Sequence, residues 1–349
     1  MKNRSTSSHK PVLLQESLKA LAIEPGGRYV DCTLGGGGHA AAILEQSSPG
    51  GQLLGIDANP SALEAARERL QGFKESALLV NDNFVNLKMI CFEHKFYPVH
   101  GVLLDLGLSS LQLNSDGRGF SFQHDAPLDM RFSPSQKVSA ADIVNTSSET
   151  KLAQIIRAYG EESQSYRIAR SIIKERPINS TLQLAELIEK TIGRHGKIHP
   201  ATKTFQALRI AVNHELEYLE SVLKQSIELL GYGGRLVVIS YHSLEDRIVK
   251  QFMQQEARGC ICPPRTPVCI CGHTPRLKLL NRKVITPTET ELKNNPRSRS
   301  AKLRAVECII SQSDSYSTTK DHKFITIAKS NSWLRPAILQ KSKVFILAA

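Results

Sequence analysis

Apolar positions in the first hundred residues fall into short continuous runs, separated by stretches with helical spacing. Tyr29-Val30 leads to Asp31, Leu53-Leu54-Gly55-Ile56 leads to Asp57, Ala77 to Val80 is a third run, and Val99 to Leu106 a fourth. Runs of this length, nearly unbroken by polar residues, are expected of strands buried on both faces. Between them, His39 to Gln46 and Pro60 to Leu70 predict helices. The second opens on Asn59-Pro60, with proline at the first helical position, where a missing N–H does little harm. Alternating strands and helices predict a parallel, doubly wound α/β sheet.

The pattern changes after Ser133. Up to Leu230 the spacing is helical and no strand is predicted. Phe205, Leu208, Val212, Leu216, Leu219, Leu223, Ile227 and Leu230 recur at three- and four-residue steps, which predicts one long amphipathic helix. Tyr232-Gly233-Gly234 breaks it, and Arg235 to Ser240 resumes the sheet. Lys283 to Thr286 and Ala301 to Cys308 are expected as the last two strands. The expected organisation is an α/β domain over 1–132 and 216–310, interrupted by a helical insert over 133–215. The tail, 311–349, has no clear pattern and is expected to be partly disordered.

Charge adds a partner class. Forty-five Lys and Arg against thirty-three Asp and Glu give a formal net charge of +12, an excess suited to a polyanion. The segment Arg276 to Arg304 holds nine of these cations (Arg276, Lys278, Arg282, Lys283, Lys293, Arg297, Arg299, Lys302 and Arg304) against only Glu289 and Glu291. Such a stretch suits phosphate contacts, which give affinity without sequence choice; its bland alternative is a solvated loop. The first ten residues are polar and no run reaches the roughly 18 to 20 apolar residues of a membrane span. Cys32, Cys91 and Cys308 lie in apolar runs, as reduced core thiols do, so cytoplasmic residence is expected.

The densest chemical signal follows the first strand: Asp31-Cys32-Thr33-Leu34-Gly35-Gly36-Gly37-Gly38-His39. Glycines here let the backbone turn sharply and approach a ligand, and the next helix aims its N-terminal N–H groups at it. Asp57, closing the second strand, is placed to accept the hydroxyls of an adenosine ribose. Two cofactors suit this pattern. Gly35, Gly37 and Ala40 satisfy the dinucleotide spacing G-x-G-x-x-A, so a nicotinamide cofactor is a rival. Asp31 favours S-adenosylmethionine (SAM), because a carboxylate repels a pyrophosphate and attracts the ammonium of a methionyl group. Asp105 closes the fourth strand and points into the crevice where open α/β sheets bind ligands. Phe84, after the third strand, is a candidate wall for the adenine.

With these residues laid out, the chain resembles the bacterial ribosomal RNA small subunit methyltransferase H family, the 16S rRNA cytosine-N4 methyltransferases. The resemblance runs from about His9 to Glu307. It is carried by His9-Lys10-Pro11-Val12-Leu13-Leu14, the Asp31 to His39 loop, Leu103 to Gln112, Arg118-Gly119-Phe120-Ser121-Phe122 and Pro127-Leu128-Asp129-Met130-Arg131. Further on it is carried by His199-Pro200-Ala201-Thr202, Phe205 to Ile210, Ser243-Leu244-Glu245-Asp246-Arg247 and Asn295 to Ser300. The resemblance implies a class I SAM-dependent methyltransferase fold, Rossmann-like, with an all-helical substrate-recognition insertion. It implies methylation of the exocyclic N4 of a decoding-centre cytidine in 16S rRNA of the small ribosomal subunit. The cofactor residues it implies are Gly37, Gly38, His39, Asp57, Phe84, Asp105 and Gln112. Two positions depart from the family pattern: Leu111 stands where a proline often follows two serines, and Tyr241 where Phe is usual before His242.

Two residues are candidates for catalysis. Asp105 could accept hydrogen bonds from the amino protons of cytosine, although the Asn/Asp-Pro-Pro-aromatic motif of other exocyclic-amine methyltransferases is replaced here by Asp105-Leu106-Gly107-Leu108. His242 could touch the base or accept the proton the amine sheds. The competing reading of that cluster is a helix cap, with Ser243 as N-cap and Asp246 completing a partial box. Cys260-Ile261-Cys262 and Cys269-Ile270-Cys271 could bind zinc, but one residue between paired ligands is tight. Unligated thiols are therefore expected there and no metal site, with zinc or a redox-labile loop as alternatives. A non-catalytic RNA-binding assembly factor would need neither the glycine loop nor both acids.

Overall fold

The computed structural model describes residues 10–108, 117–194, 196, 198–263, 266 and 268–310. Its centre is a seven-stranded sheet of order β3-β2-β1-β4-β5-β7-β6. The strands are β1 (Arg28–Asp31), β2 (Gln52–Ile56), β3 (Ala77–Val80), β4 (Val99–Asp105), β5 (Leu230–Ser240), β6 (Leu277–Leu279) and β7 (Lys302–Cys308). The first five are parallel; β7 runs antiparallel between β5 and β6. The order reverses between β1 and β4, and open α/β sheets bind ligands outside the strand ends at such a switch point. A doubly wound sheet with one reversed strand inserted at its edge is the class I methyltransferase arrangement expected from the sequence.

Helices cover both faces. On one side pack α1 (Leu14–Leu21), α2 (Gly38–Ser47) and α3 (Pro60–Arg69), through Leu18, Leu21, Ile43, Leu44, Leu63 and Ala66. The other side is covered by α4 (Leu87–Glu93) and by two helices that come later in the chain, one of which follows β5. Asn59 caps α3, its side chain accepting from the Ser61 N–H, with Pro60 at the first helical position.

A third apolar cluster lies apart from the sheet. It is built by α5 (Ala140–Thr146), α6 (Glu149–Gly160), α7 (Ser165–Glu175), α8 (Thr181–Ile192) and α9 (Ala201–Asn213), and contains no strand-forming residue of the sheet. Leu128 and Met130 belong to it, and Phe120 and Phe122 pack against it, so this packing unit draws in chain that precedes residue 133.

The single long helix expected from Phe205 to Leu230 is two helices, α9 and α10 (Glu215–Leu229). They meet at His214, which adopts a left-handed φ of 52°. Asn213 anchors the break: its amide donates to the Met130 carbonyl at 2.8 Å and its oxygen accepts from the Phe132 N–H at 2.8 Å. The regular spacing concealed the break because its two halves face different cores. Phe205, Leu208 and Val212 enter the helical cluster, whereas Leu219, Leu223 and Ile227 cover the sheet. Two further details differ from expectation. The strand β5 begins at Leu230 and runs through Gly231 to Gly234, with a register shift opposite Val99 and Gly101. The edge strand is Leu277–Leu279 rather than Lys283 to Thr286, of which Ile285 makes only an isolated bridge to Leu303.

Candidate active site

The carboxyl ends of β1, β2 and β4 converge on one cleft. It encloses about 740 Å³, partly open to solvent, and is lined by Thr33, Gly35, Asp57, Phe84, Asp105 and Gly107 on the sheet side. Phe132, Glu215, Leu219 and Glu245 close the opposite side. The cleft thus joins the glycine loop to the point where the helical unit returns to the sheet.

Asp57 organises the loop. Its two carboxylate oxygens accept from the Gly35 N–H and the Asn59 N–H, each at 2.8 Å. Burial pushes its pKa up, and the Asn59 and Gly35 donors pull it back. A carboxylate has about four lone-pair sites, so two N–H bonds leave acceptor capacity on the cleft side. Gly35 and Gly37 have left-handed φ values of 52° and 72°. At Gly37 a Cβ would also lie 3.3 Å from Ala66 Cα and Cβ, so the glycine permits both the turn and the close approach of α2 and α3.

Asp31 and Asp105 lie beside each other at the strand ends. Asp31 is 1% exposed and accepts from the Thr33 N–H at 3.1 Å. Burial first, and then the charges of Asp105 and Asp57, raise its pKa to about 7. The Thr33 hydroxyl accepts from the Asp105 N–H at 2.6 Å, tying β1 to the end of β4. The Asp105 carboxylate is fixed by the Tyr241 hydroxyl, which donates to Oδ1 at 2.8 Å, and by the Gly107 N–H at 3.3 Å. Burial and the neighbouring Asp105 charge hold the Tyr241 pKa far up, so the phenol keeps its proton and remains a donor.

A second polar group stands across the cleft. Glu245, on α11 (Ser243–Glu256), accepts through Oε2 from the N–H groups of Tyr241 at 2.7 Å and His242 at 3.2 Å. Glu215 is clamped by both nitrogens of the Arg209 fork at 2.9 Å each. Burial raises the Glu215 pKa, Arg209 opposes that, and Glu245 adds to it.

A sequence profile of the MraW methylase family matches residues 6–309. The chain belongs to that family. A member from Dehalococcoides mccartyi, named ribosomal RNA small subunit methyltransferase H, is 64% identical over 303 residues, covering 86% of this chain and 87% of the relative. A protein of the same name from Thermomicrobium roseum is 54% identical over 308 residues, covering 87% of this chain and 94% of the relative. Among solved structures, an rRNA methylase from Streptococcus thermophilus is similar at a TM-score of 0.40 and 12% identity, over 87% of this chain and all of that one. That likeness is too distant to bear on the site.

In this MraW-family chain, the expected residues Asp57, Phe84 and Asp105 all line the cleft. Gly37, Gly38 and His39 do not line it. A Cβ at Gly38 would collide with Pro11 Cγ at 2.5 Å, so its smallness serves packing against the N-terminal segment. His39 is 6% exposed, with Nε2 3.0 Å from the Val12 carbonyl and Nδ1 3.8 Å from Asp105 Oδ2. It touches the site only through Asp105. Gln112 lies outside the described residues, as does Leu111.

His242 takes the capping role rather than an open position in the cleft. It, not Ser243, is the N-cap of α11: Nδ1 accepts from the Glu245 N–H at 3.3 Å, and Glu245, not Asp246, completes the box. Its Nε2 lies 3.0 Å from Glu245 Oε1 without hydrogen-bond alignment. Glu245 lines the cleft while its carboxylate is engaged by the cap. Asp246 is instead engaged by Arg304 at 2.7 Å and Lys302 at 3.5 Å. Arg276 is held by Glu256 at 2.7 Å, so Arg276, Lys302 and Arg304 of the basic segment are ion-paired. Lys278, Arg282, Lys283, Lys293 and Arg299 are exposed.

Sequence reasoning named Gly35 as part of the glycine turn but did not place Tyr241, Glu215 or Glu245 in the site. Tyr241 carried a signal, since it adds a hydroxyl where Phe is usual. The two glutamates carried none, because each looks like an ordinary first-turn acid of a helix.

Proposed function

We propose that the protein is a SAM-dependent methyltransferase that methylates the exocyclic N4 amine of a decoding-centre cytidine in 16S rRNA, acting in the cytoplasm on the small ribosomal subunit. The observation that carries the choice of cofactor is the charge of the cleft. Its lining contains Asp57, Asp105, Glu215 and Glu245 and, among the described residues, no Lys or Arg. Glu215 is balanced by Arg209 and Glu245 is engaged in the helix cap, so Asp57 and Asp105 give the cleft its negative character. These two suit a donor that bears an ammonium and a sulfonium, and they repel the pyrophosphate of a nicotinamide dinucleotide. The donor set therefore fits SAM. Asp57 would accept from the ribose, Phe84 would wall the adenine, and Asp105 would face the methionyl end. The bound donor supplies an electrophilic methyl group for in-line displacement.

The chain's own residues then have two tasks. The first is to make a poor nucleophile better, because the cytosine amine delocalises its lone pair into the ring. Asp105, oriented by Tyr241 and Gly107, can accept an amino proton and favour a lone pair directed out of the ring plane. Holding amine and donor together accounts for a further large part of the rate. The second task is to receive the proton that the methylated amine sheds, and this is assigned to Asp105, which lines the cleft. The helical unit (133–215 with its preceding loop) is assigned to substrate recognition, and the exposed cations from Lys278 to Arg299 to phosphate contacts.

The test is incubation of unmethylated 30S subunits with the protein and SAM, followed by nucleoside mass spectrometry, with calorimetry of SAM and NAD side by side. N4-methylcytidine and SAM binding are expected. NAD binding in place of SAM, or an unmodified cytidine after full incubation, would overturn the reading.

A further inference from the structure

In the loop between α11 and β6, residues 257–276, the described residues have no regular secondary structure and belong to none of the apolar clusters. Its larger apolar side chains point outward: Ile261 is 41% exposed, Val268 72% and Ile270 85%. The side chains that face one another are four cysteines distant in sequence from every other cysteine in the described fold. Sγ of Cys262 is 3.9 Å from Cys269, Cys269 is 3.5 Å from Cys271, and Cys271 is 3.9 Å from Cys260. All four sulfurs lie within 4.8 Å of one another. None forms a disulfide.

These separations have a specific meaning. Four thiolates at about 2.3 Å from a tetrahedral zinc ion lie about 3.8 Å from each other along each edge. The observed contacts straddle that value, whereas a disulfide needs about 2.05 Å. The backbone is arranged for thiolates as well. The Ile261 N–H donates to Cys271 Sγ at 3.5 Å and the Cys262 N–H to Cys260 Sγ at 3.4 Å. Gly272, with a left-handed φ of 60°, lets the chain fold back behind Cys271. The loop's base is closed by the Arg276–Glu256 ion pair at 2.7 Å and by His273 Nε2 against the Gln255 carbonyl at 3.1 Å.

We propose that Cys260, Cys262, Cys269 and Cys271 form a tetrahedral four-thiolate zinc site that holds the loop together in place of an apolar core. The one-residue spacing within each pair, which on sequence argued against a metal, is accommodated because the two pairs face each other across the loop. A sulfur-only tetrahedral set suits zinc or iron. Zinc is assigned because the ion here has no redox task. Its role is structural, with no open position for a substrate.

The test uses the full-length protein purified under reducing conditions with zinc in the growth medium. Elemental analysis should give about one zinc per chain after exhaustive dialysis. Thiol titration of the native protein should find these four cysteines unreactive until a chelator is added. Replacement by cobalt should give the visible absorption of a tetrahedral thiolate site. The C262S/C269S double variant should lose the metal while keeping its far-ultraviolet circular dichroism and its SAM affinity, since none of the three apolar clusters contains residues of this loop before Leu277. A metal-free protein with freely reactive loop thiols, iron in place of zinc, a disulfide between these cysteines, or zinc retained by the double variant would each overturn the assignment.

Discussion

Replacing Asp105 by Asn isolates one negative charge at the centre of the cleft. In the native protein, Oδ1 accepts from Tyr241 at 2.8 Å, and Oδ2 stands 3.8 Å from His39 Nδ1. His39 Nε2 faces the Val12 carbonyl, which can only accept, so Nε2 carries the proton. Burial holds the His39 pKa down despite Asp105, which leaves Nδ1 as an acceptor. An asparagine keeps the Tyr241 bond through its oxygen and turns its amide toward that acceptor. Folding should therefore be preserved. What disappears is the charge. A unit charge about 4 Å from a cation is worth about 4 kcal/mol at an effective dielectric of 20, an upper limit for a cleft partly open to water. A charge-assisted hydrogen bond, with a net contribution of about 1.5–3 kcal/mol, is the closer guide. Each 1.4 kcal/mol is a factor of ten, so kcat/KM should fall roughly 10- to 150-fold. Transfer of labelled methyl groups to 30S subunits measures the rate, and thermal unfolding in parallel tests the fold. Turnover within twofold of wild type would refute the role assigned to Asp105, and a rate loss matched by a collapse in stability would refute the argument that Asn fits.

Three further outcomes follow from the same geometry. Asp31 has a folded pKa of about 7, raised by burial above the unfolded value of 3.8. The folded state thus holds the extra proton between these limits, and the contribution of Asp31 to stability is complete below about pH 4 and lost as the pH rises to about 7. The slope of that loss is at most about 1.4 kcal/mol per pH unit. Urea unfolding of ligand-free protein at pH 5 and pH 7 should show that slope removed in Asp31→Asn, and an unchanged pH dependence would refute it. Gly37→Ala should lower stability by about 1–2 kcal/mol, from the left-handed φ of 72° and the approach of Ala66. Gly36→Ala, whose Cβ would meet nothing within 4 Å, should change the melting temperature little; equal effects would contradict the distinction. Finally, RNA affinity should fall with salt, but with a slope shallower than nine phosphate contacts would give, because Arg276, Lys302 and Arg304 are already paired. Filter binding across a salt series would measure it, and an absence of salt dependence would exclude the basic segment from RNA contact.

The sheet, the glycine turn and the acids at its strand ends were legible in the sequence because they are written locally. A strand buried on both faces leaves an unbroken apolar run. A left-handed turn demands glycine, and a carboxylate that ends such a strand beside that turn has few structural reasons to be there. Asp57 and Asp105 could be named on those grounds alone. What only the tertiary structure decided depends on which surfaces meet. The helix break at His214 is invisible in the spacing, since it leaves the spacing intact and changes only the core each half faces. Tyr241 reaches Asp105 across 136 positions of chain, Glu215 enters the cleft only because the helical unit returns to the sheet there, and Glu245 only because the helix after β5 starts at its edge. The four cysteines likewise become a site by the folding of their loop, because coordination is a matter of distances between sulfurs and not of the count between them.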